Sequence, residues 1–343
     1  MRIGFDVSPL ARPHPAGVVR ATAGLVAALE QLDPGDGPEI VRLAPGAGED
    51  LRAWRHRRLP ALVSELKLFG LHSPVSAFPW RGPGKRLQTV HELPWRHGEK
   101  ENADLKHRFW ARFGARRADL VICPSAHVAR DLGRKAAVCP WGVEPRFGDE
   151  PAPGEVDELL LGRYRLSGDP LALCLGAVRP KKNLAALLGG LAELRRRDGP
   201  RVHAVVTGRE TQQLRRDLGT ASRLGLARYV STPGLVEEAH LPGLLRLAAV
   251  VPVLSRSEGF AFPVLEALAC GTPVLVPPDS AQAELAGAEG IPVDPDDPGS
   301  VADGLERALR EREERRAARV ERAAGFTWER SARTVAGLWG ALA

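Results

Sequence analysis

Residues 250–276 constrain the fold more tightly than any other stretch. Val250-Val251-Pro252-Val253-Leu254 is a short apolar run of strand type, and Thr272-Pro273-Val274-Leu275-Val276 is another. Between them SRSEGFAFPVLEALACG supplies a glycine turn and a short helix. Pro263 suits the first helical position and Gly271 the left-handed residue just past the helix end. A strand, a crossover helix and a second strand make a βαβ unit, so the strands are expected to be parallel and buried. Two carboxylates interrupt this apolar segment, Glu258 in the loop and Glu266 one turn into the helix. The helix begins at the carboxyl end of a strand, where open α/β sheets bind ligands. The N–H groups of Gly259, Phe260, Ala261 and Phe262 are expected to face that crevice, at the positive end of the helix dipole. The adjacent acceptor oxygens of a carboxylate match the adjacent O–H donors of a ribose or hexose diol. Either glutamate alone reads as a solvated surface residue. The glycine, the strand ends and the spacing together favour a ligand site.

Glu258-GFAFPVL-Glu266, followed by ALACGTPV, resembles the E-x7-E signature of retaining glycosyltransferase family 4, the glycosyl transferases group 1. The resemblance implies an α/β fold of the GT-B kind. Two Rossmann-like domains with parallel sheets face each other across a cleft, the nucleotide sugar sits on the second, and a C-terminal helix returns to the first. It also implies that Glu258 lies by the donor sugar and that Glu266 binds the nucleotide ribose. Ala261 departs from the pattern, since many members have a second glycine there.

A chain of 343 residues suffices for two domains, each with its own core. Hydrophobic content of 44% and charged content of 26% are those of a soluble globular protein. No apolar run reaches the length of a membrane span, and MRIGFDVSPL enters a strand with no secretory segment, so a cytoplasmic location is expected. Cys123, Cys139, Cys174 and Cys270 are scattered in or beside apolar runs without metal-site spacing and read as buried reduced thiols. A net charge of +6 suits a polyanionic ligand, a nucleotide sugar or an acidic lipid surface without choosing among them.

In the first half, Arg2–Val7 reads as a strand, followed by a loop with Gly17 and an amphipathic helix through Leu29. Gly17 is followed only by Gly24, and no acidic residue closes the second strand at Glu39–Leu43, which argues against a nicotinamide fingerprint. The loop resembles the family's acceptor-side glycine loop, with Gly17 admitting the substrate. Further strands are expected at Pro74–Phe78, Lys85–Val90, Asp119–Cys123 and Ala136–Cys139. His91, at the end of the second of these, occupies the place of the family's His-Asp dipeptide, whose His reaches the donor sugar. Ser125 suits a helix cap. Trp141, in a landmark that resembles the close of the first domain, is expected on the acceptor side. Two segments are both basic and aromatic, Trp54–Arg58 and Lys106–Arg117. Their aromatics face a core, or rest on anionic lipid headgroups at the inner membrane face. Neither belongs to a nucleic-acid-binding pattern.

The polar, Pro/Gly-rich run from Gly148 to Glu155 reads as an interdomain linker, which divides the chain at 1–149, 150–325 and a terminal helical segment 326–343. After a strand at Leu171–Leu175, Arg179-Pro180-Lys181-Lys182-Asn183 opens a helix. Cations there oppose the helix dipole, and a bound diphosphate removes the conflict. The cluster resembles the family's diphosphate-binding segment, with Lys182 the best match and Arg179 or Lys181 its helper. Arg209 follows the strand Val202–Thr207, near where a nucleotide would pass, and Leu235 and Val236 resemble the loop that brackets the base. Asp294-Pro295-Asp296 suits helix capping before a helix from about Ser300, and no metal is expected. Val301–Ala323 reads as one charged outer helix.

These residues imply an enzyme that transfers a hexose with retention of configuration. The donor is a nucleotide-diphosphate sugar, a co-substrate rather than a cofactor. The acceptor is a glycan, lipid-linked or small-molecule hydroxyl. A nucleotide-sugar epimerase on a similar frame and a non-catalytic nucleotide-binding module are the alternatives.

Overall fold

A computed structural model describes residues 1–101, 103–151, 157–166 and 169–343. They fall into two units, Met1–Gly142 with Phe326–Ala343, and Val143–Gly325.

The first unit holds six strands: β1 (Arg2–Asp6), β2 (Glu39–Leu43), β3 (Gly70–Ser73), β4 (Lys85–Thr89), β5 (Leu120–Cys123) and β6 (Ala137–Val138). They form one sheet in the order β2-β1-β3-β4-β5-β6, with every pairing parallel. Parallel strands need crossovers, and helices that cover both faces bury the central strands on both sides. Ile3 and Phe5 point to one face of β1 and Asp6 to the other, all at 0% exposure. The strand expected at Pro74–Phe78 lies just upstream instead, as β3. Pro74 has no N–H to continue the ladder, and the polar His72 and Ser73 hid the true strand, whose four residues are all buried.

The last helix, Trp328–Gly340, packs on the helix Ala16–Glu30. Gly24 has to be glycine there, because a Cβ would lie 2.3 Å from the Trp328 ring. Trp339 is fully buried beneath β3, where a Cβ on Gly70 would come within 2.6 Å of its ring. Ser331 Oγ donates to the Pro140 carbonyl at 2.6 Å. The first unit is thus closed by the far end of the chain.

The second unit has β7 (Leu171–Cys174), β8 (His203–Thr207), β9 (Val230–Gly234), β10 (Val251–Pro252), β11 (Val274–Val276) and β12 (Gly290–Pro292). Two parallel three-stranded sheets, β7-β8-β9 and β10-β11-β12, meet at a parallel bridge between Ala172 and Val250. There Leu173 N donates to Val250 O, and Ala249 N to Leu171 O, both at 2.9 Å. The strands therefore run β9-β8-β7-β10-β11-β12, a doubly wound order that reverses between β7 and β10.

Three expectations are corrected. The unit boundary falls at Gly142–Val143 rather than at 149–150. Within the second unit, Arg246 donates to the Gly148 carbonyl at 2.8 Å and Arg316 to that of Asp149 at 2.6 Å, so the start of the expected linker is bound structure. Its residues 152–155 lie outside the described residues. The single outer helix is two, Pro298–Arg310 and Arg316–Ala324, and it is not all outer. Arg319 is 1% exposed and donates to the carbonyls of Gly271, Arg312 and Glu311. Of the first basic aromatic segment, Trp54 and Arg55 are buried, with Trp54 Nε1 donating to Asp6 Oδ1 at 3.1 Å.

His72 gives this fold a testable pH dependence. It is fully buried against Phe5 and Thr89, and burial lowers its pKa from the ordinary 6.5 to about 3. Between those values the unfolded chain binds a proton that the folded chain does not, so stability falls as pH drops from 6.5 toward about 3. The slope from this one group is about 1.4 kcal/mol per pH unit. In urea unfolding compared at about pH 7 and about pH 5, His72→Gln is expected to lose less stability on acidification than the parent. Equal losses would exclude a neutral buried imidazole.

Candidate functional site

β7 and β10 end side by side where the strand order reverses, and a recess opens there, lined by Gly176, Val178, Lys182, Ser255 and Pro263 among others. Backbone contacts fix the loops beside it. Gly176 has φ +84 and Gly208 φ +110, conformations that side chains with a Cβ rarely adopt. A Cβ on Gly208 would lie 2.5 Å from the Gly176 carbonyl carbon. Gly208 N donates to Gly234 O at 2.7 Å, and Thr207 Oγ1 donates to Cys174 O at 3.1 Å. The loops after β7, β8 and β9 are thereby locked together. Arg209 and Leu235 stand exposed on them, Leu235 at 65%, with Val236 half-buried.

An ion cluster joins the connections that follow β7 and β10. Pro180–Lys182 forms a tight turn, Asn183 takes a left-handed φ of 53, and the helix Leu184–Arg196 follows. Arg256 N donates to Lys181 O at 3.0 Å, which joins the turn to the loop after β10. Lys182 Nζ donates to Glu258 Oε1 at 2.7 Å, and Lys181 Nζ lies 3.9 Å from Oε2. The side chains of Lys181 and Glu258 are only 5% and 11% exposed. Burial pushes the Glu258 carboxyl up. The charges of Lys182 and Lys181, with hydrogen bonds from Lys182 and Ser255, outweigh it and hold the group below the ordinary carboxylate range. Two ammonium groups against one carboxylate leave a net positive charge at the carboxyl end of the sheet, the polarity an anionic ligand needs. The expected conflict between lysines and helix dipole is thus met in part by Glu258. Sequence reasoning missed this contact because its partners are 76 residues apart and no spacing rule links them.

The helix after the recess spans Phe262–Ala269, with Pro263 in its first turn and Gly271 at φ +75 beyond its end. Glu266 is 2% exposed, which excludes the solvated reading. Ala261 and Phe262 are buried at the helix start, Gly259 is buried before them, and the rings of Phe260 and Phe262 meet edge to face at 5.1 Å. Arg179, half-buried, precedes the lysine turn. The 294–296 acids divide their work differently from expectation. Asp294 Oδ1 accepts from Asp296 N at 2.9 Å in a turn, and the helix cap is Asp297.

The remaining candidates belong to the first unit. His91 follows β4, half-buried, with Nε2 2.7 Å from the Pro74 carbonyl. A carbonyl only accepts, so Nε2 carries the proton. Burial lowers the His91 pKa against the pull of that carbonyl and of Glu92, which leaves a neutral ring with Nδ1 as an acceptor. Gly17 is exposed at the second position of its helix, and a Cβ there would meet nothing within 4 Å. Trp141 corrects its expectation: it is 1% exposed, stacked 6.4 Å from Trp328 and tilted 5.9 Å from His91, and so supports His91 from within the core. Cys123, Cys139 and Cys270 are buried as expected. Burial raises the Cys123, Cys139 and Cys174 thiols to about 12.

The second basic aromatic segment divides between core and surface. Trp110 is buried, whereas Leu105, Phe109 and Phe113 are 84%, 43% and 43% exposed, with Arg112 and Arg116 within 6 Å of the Phe113 ring. No helix of the described residues is long and apolar enough to cross a membrane.

The family described as glycosyl transferases group 1 matches residues 163–324, the span that carries the recess and the ion cluster. A D-inositol 3-phosphate glycosyltransferase of Nocardia farcinica is 32% identical over 358 residues, 95% of this chain and 76% of that protein. The chain belongs to the glycosyl transferases group 1 family. A second D-inositol 3-phosphate glycosyltransferase, of Frankia alni, is 37% identical over 177 residues, 48% of this chain and 44% of its own. The O-antigen chain mannosyltransferase B of Escherichia coli is 30% identical over 176 residues, 50% of this chain and 45% of its own. The match therefore spans under half the length of these two group 1 relatives. Sucrose-phosphate synthase of Thermosynechococcus elongatus superposes with a TM-score of 0.74 at 20% identity, over 99% of this chain and 98% of that one. Anabaena HepE, solved with UDP and glucose, gives 0.72 at 18% identity, over 99% and 100%. These likenesses show the fold: two Rossmann-like units with parallel sheets, the GT-B architecture.

Glu258→Ala removes the carboxylate that faces both Lys181 and Lys182 at a site with little water. It is expected to lower the unfolding free energy by about 3 kcal/mol in urea titration. A loss under about 1 kcal/mol would mean that the cluster is solvated and contributes as a surface pair does.

Proposed function

We propose that the chain is a retaining glycosyltransferase that moves a hexose from a nucleotide-diphosphate sugar to an acceptor hydroxyl without a metal ion. One observation carries this reading: the Lys181–Glu258–Lys182 cluster at the point where the second sheet reverses its order. Cleavage of the sugar–phosphate bond builds positive charge on the ring and negative charge on the leaving oxygen. Lys182 uses one of its three donors on Glu258 and has others for phosphate oxygens, and Lys181 adds charge behind it. Fixed cations and loop N–H groups stabilise the leaving group without reorganising. Arg179 and Arg209 are placed to assist along the diphosphate. Glu258 takes the sugar hydroxyls, Glu266 the ribose, and Leu235 with Val236 the base. The leaving phosphate accepts the proton of the attacking hydroxyl, so no separate protein base is assigned.

The relatives support a hexose donor and a polyol or glycan acceptor, since they are named as mannosyltransferases and inositol phosphate glycosyltransferases. The exposed Leu105, Phe109 and Phe113 beside Arg112 and Arg116 support an acceptor presented at an anionic membrane, with apolar side chains between headgroups and arginines on phosphates.

Three outcomes are expected. In calorimetry with nucleoside diphosphates, Glu266→Ala weakens binding about tenfold, or about 1.4 kcal/mol. Lys182→Ala slows transfer roughly a hundredfold with an active donor. Unchanged values in both variants would overturn the assignment, as would donor conversion to an isomer with no acceptor present. Phe109→Asp with Phe113→Asp is expected to abolish sedimentation with vesicles of phosphatidylglycerol; sedimentation equal to the parent's would remove the membrane reading.

A further inference from the structure

Outside the donor site, two imidazoles and a carboxylate converge on one point of the first unit. His97 ends the turn Pro94–His97, six residues beyond His91, and His127 and Asp131 lie one helical turn apart on the helix Ala126–Leu132 after β5. His97 Nε2 is 2.6 Å and His127 Nε2 3.7 Å from the same oxygen, Asp131 Oδ2. The three ligand atoms lie within 4.8 Å of one another, and the two rings stack at 5.1 Å with an interplanar angle of 21°. The side chains are 28%, 13% and 20% exposed, open enough for an ion to enter and enclosed enough to be ordered. A hydrogen bond from His97 to Asp131 accounts for one imidazole. His127 Nε2 stands 3.7 Å from the same oxygen, beyond hydrogen-bond length.

We propose that His97, His127 and Asp131 bind a divalent transition metal ion, with zinc the best match. Ligand distances of about 2.0–2.1 Å in a tetrahedral site set the donor atoms roughly 3.3 Å apart, and these already stand within 4.8 Å of one another. Two nitrogens and one oxygen suit zinc, cobalt, nickel or copper, whereas magnesium and calcium want oxygen throughout. Neutral imidazoles and one carboxylate leave the bound ion with a net positive charge, and three protein ligands leave a position for water. Arg96 Nε donates to the Asp131 carbonyl at 3.1 Å, which already sets the turn against the helix. The ion clips the two together and fixes the loop that leads away from His91. This role is separate from the transfer reaction and stands whether or not that reaction is the one proposed.

The test uses the full chain, freed of any affinity tag and dialysed against chelator. Titration with zinc chloride is expected to load one ion per chain and raise the melting temperature. His127→Ala and Asp131→Asn each weaken uptake by at least about tenfold. Cobalt chloride should give the visible bands of a tetrahedral site, lost in His97→Ala. X-ray absorption on the zinc-loaded, unmutated chain should read two imidazole nitrogens, a measurement that needs no variant to fold. Absence of stoichiometric uptake, uptake of equal affinity in all the variants, or a zinc shell with sulfur or a single imidazole overturns the site.

Discussion

Glu258 is held by two lysines that lie on the opposite side of a reversal in strand order, and that contact ties together the loops after β7 and β10. A carboxylate this enclosed stays ionised only because cations face it. Each sign of charge is tolerated because of the other, and the surplus is positive. That surplus sits at the carboxyl ends of β7 and β10, where parallel strands finish and a recess opens.

Around the cluster the protein builds with backbone. Gly176, Gly208 and Gly234 bring three loops to contact distances that a methyl group at Gly208 would not allow, and Thr207 ties the first two. Such a surface offers N–H groups and carbonyls in fixed places and is poor in side chains that could move. In the first unit the logic is inverted. His91 is neutral, its protonated nitrogen is committed to Pro74, and Trp141 and Trp328 stack behind it, so one acceptor nitrogen is presented by a rigid aromatic layer.

Local rules made much of this legible. Pro263, Gly271 and the apolar runs on either side announced a helix between two buried strands, and the helix, its parallel strands and the left-handed glycine are all present. Ser125 caps its helix, accepting from Val128 N at 3.3 Å. Polar residues at buried positions were less readable. β3 was missed because His72 and Ser73 do not look like strand interior, and Arg319 was assigned to an outer face because nothing in its neighbourhood says which carbonyls it must reach. Trp141 was expected on the acceptor side because nothing near it in the chain announces its partner Trp328 in the last helix.

The sequence by itself determined the parallel α/β class of fold, the existence of a crevice at the strand ends, and the choice of Glu258, Glu266, Lys181 and Lys182 near it. Each of these follows from propensities and spacings within a few turns of chain. Only the tertiary structure decided that Lys182 grips Glu258, that Trp141 is core, and that His97 meets His127 and Asp131. Those are pairings between segments brought together by separate crossovers. Their distances depend on how whole strands and helices pack, which no local pattern encodes.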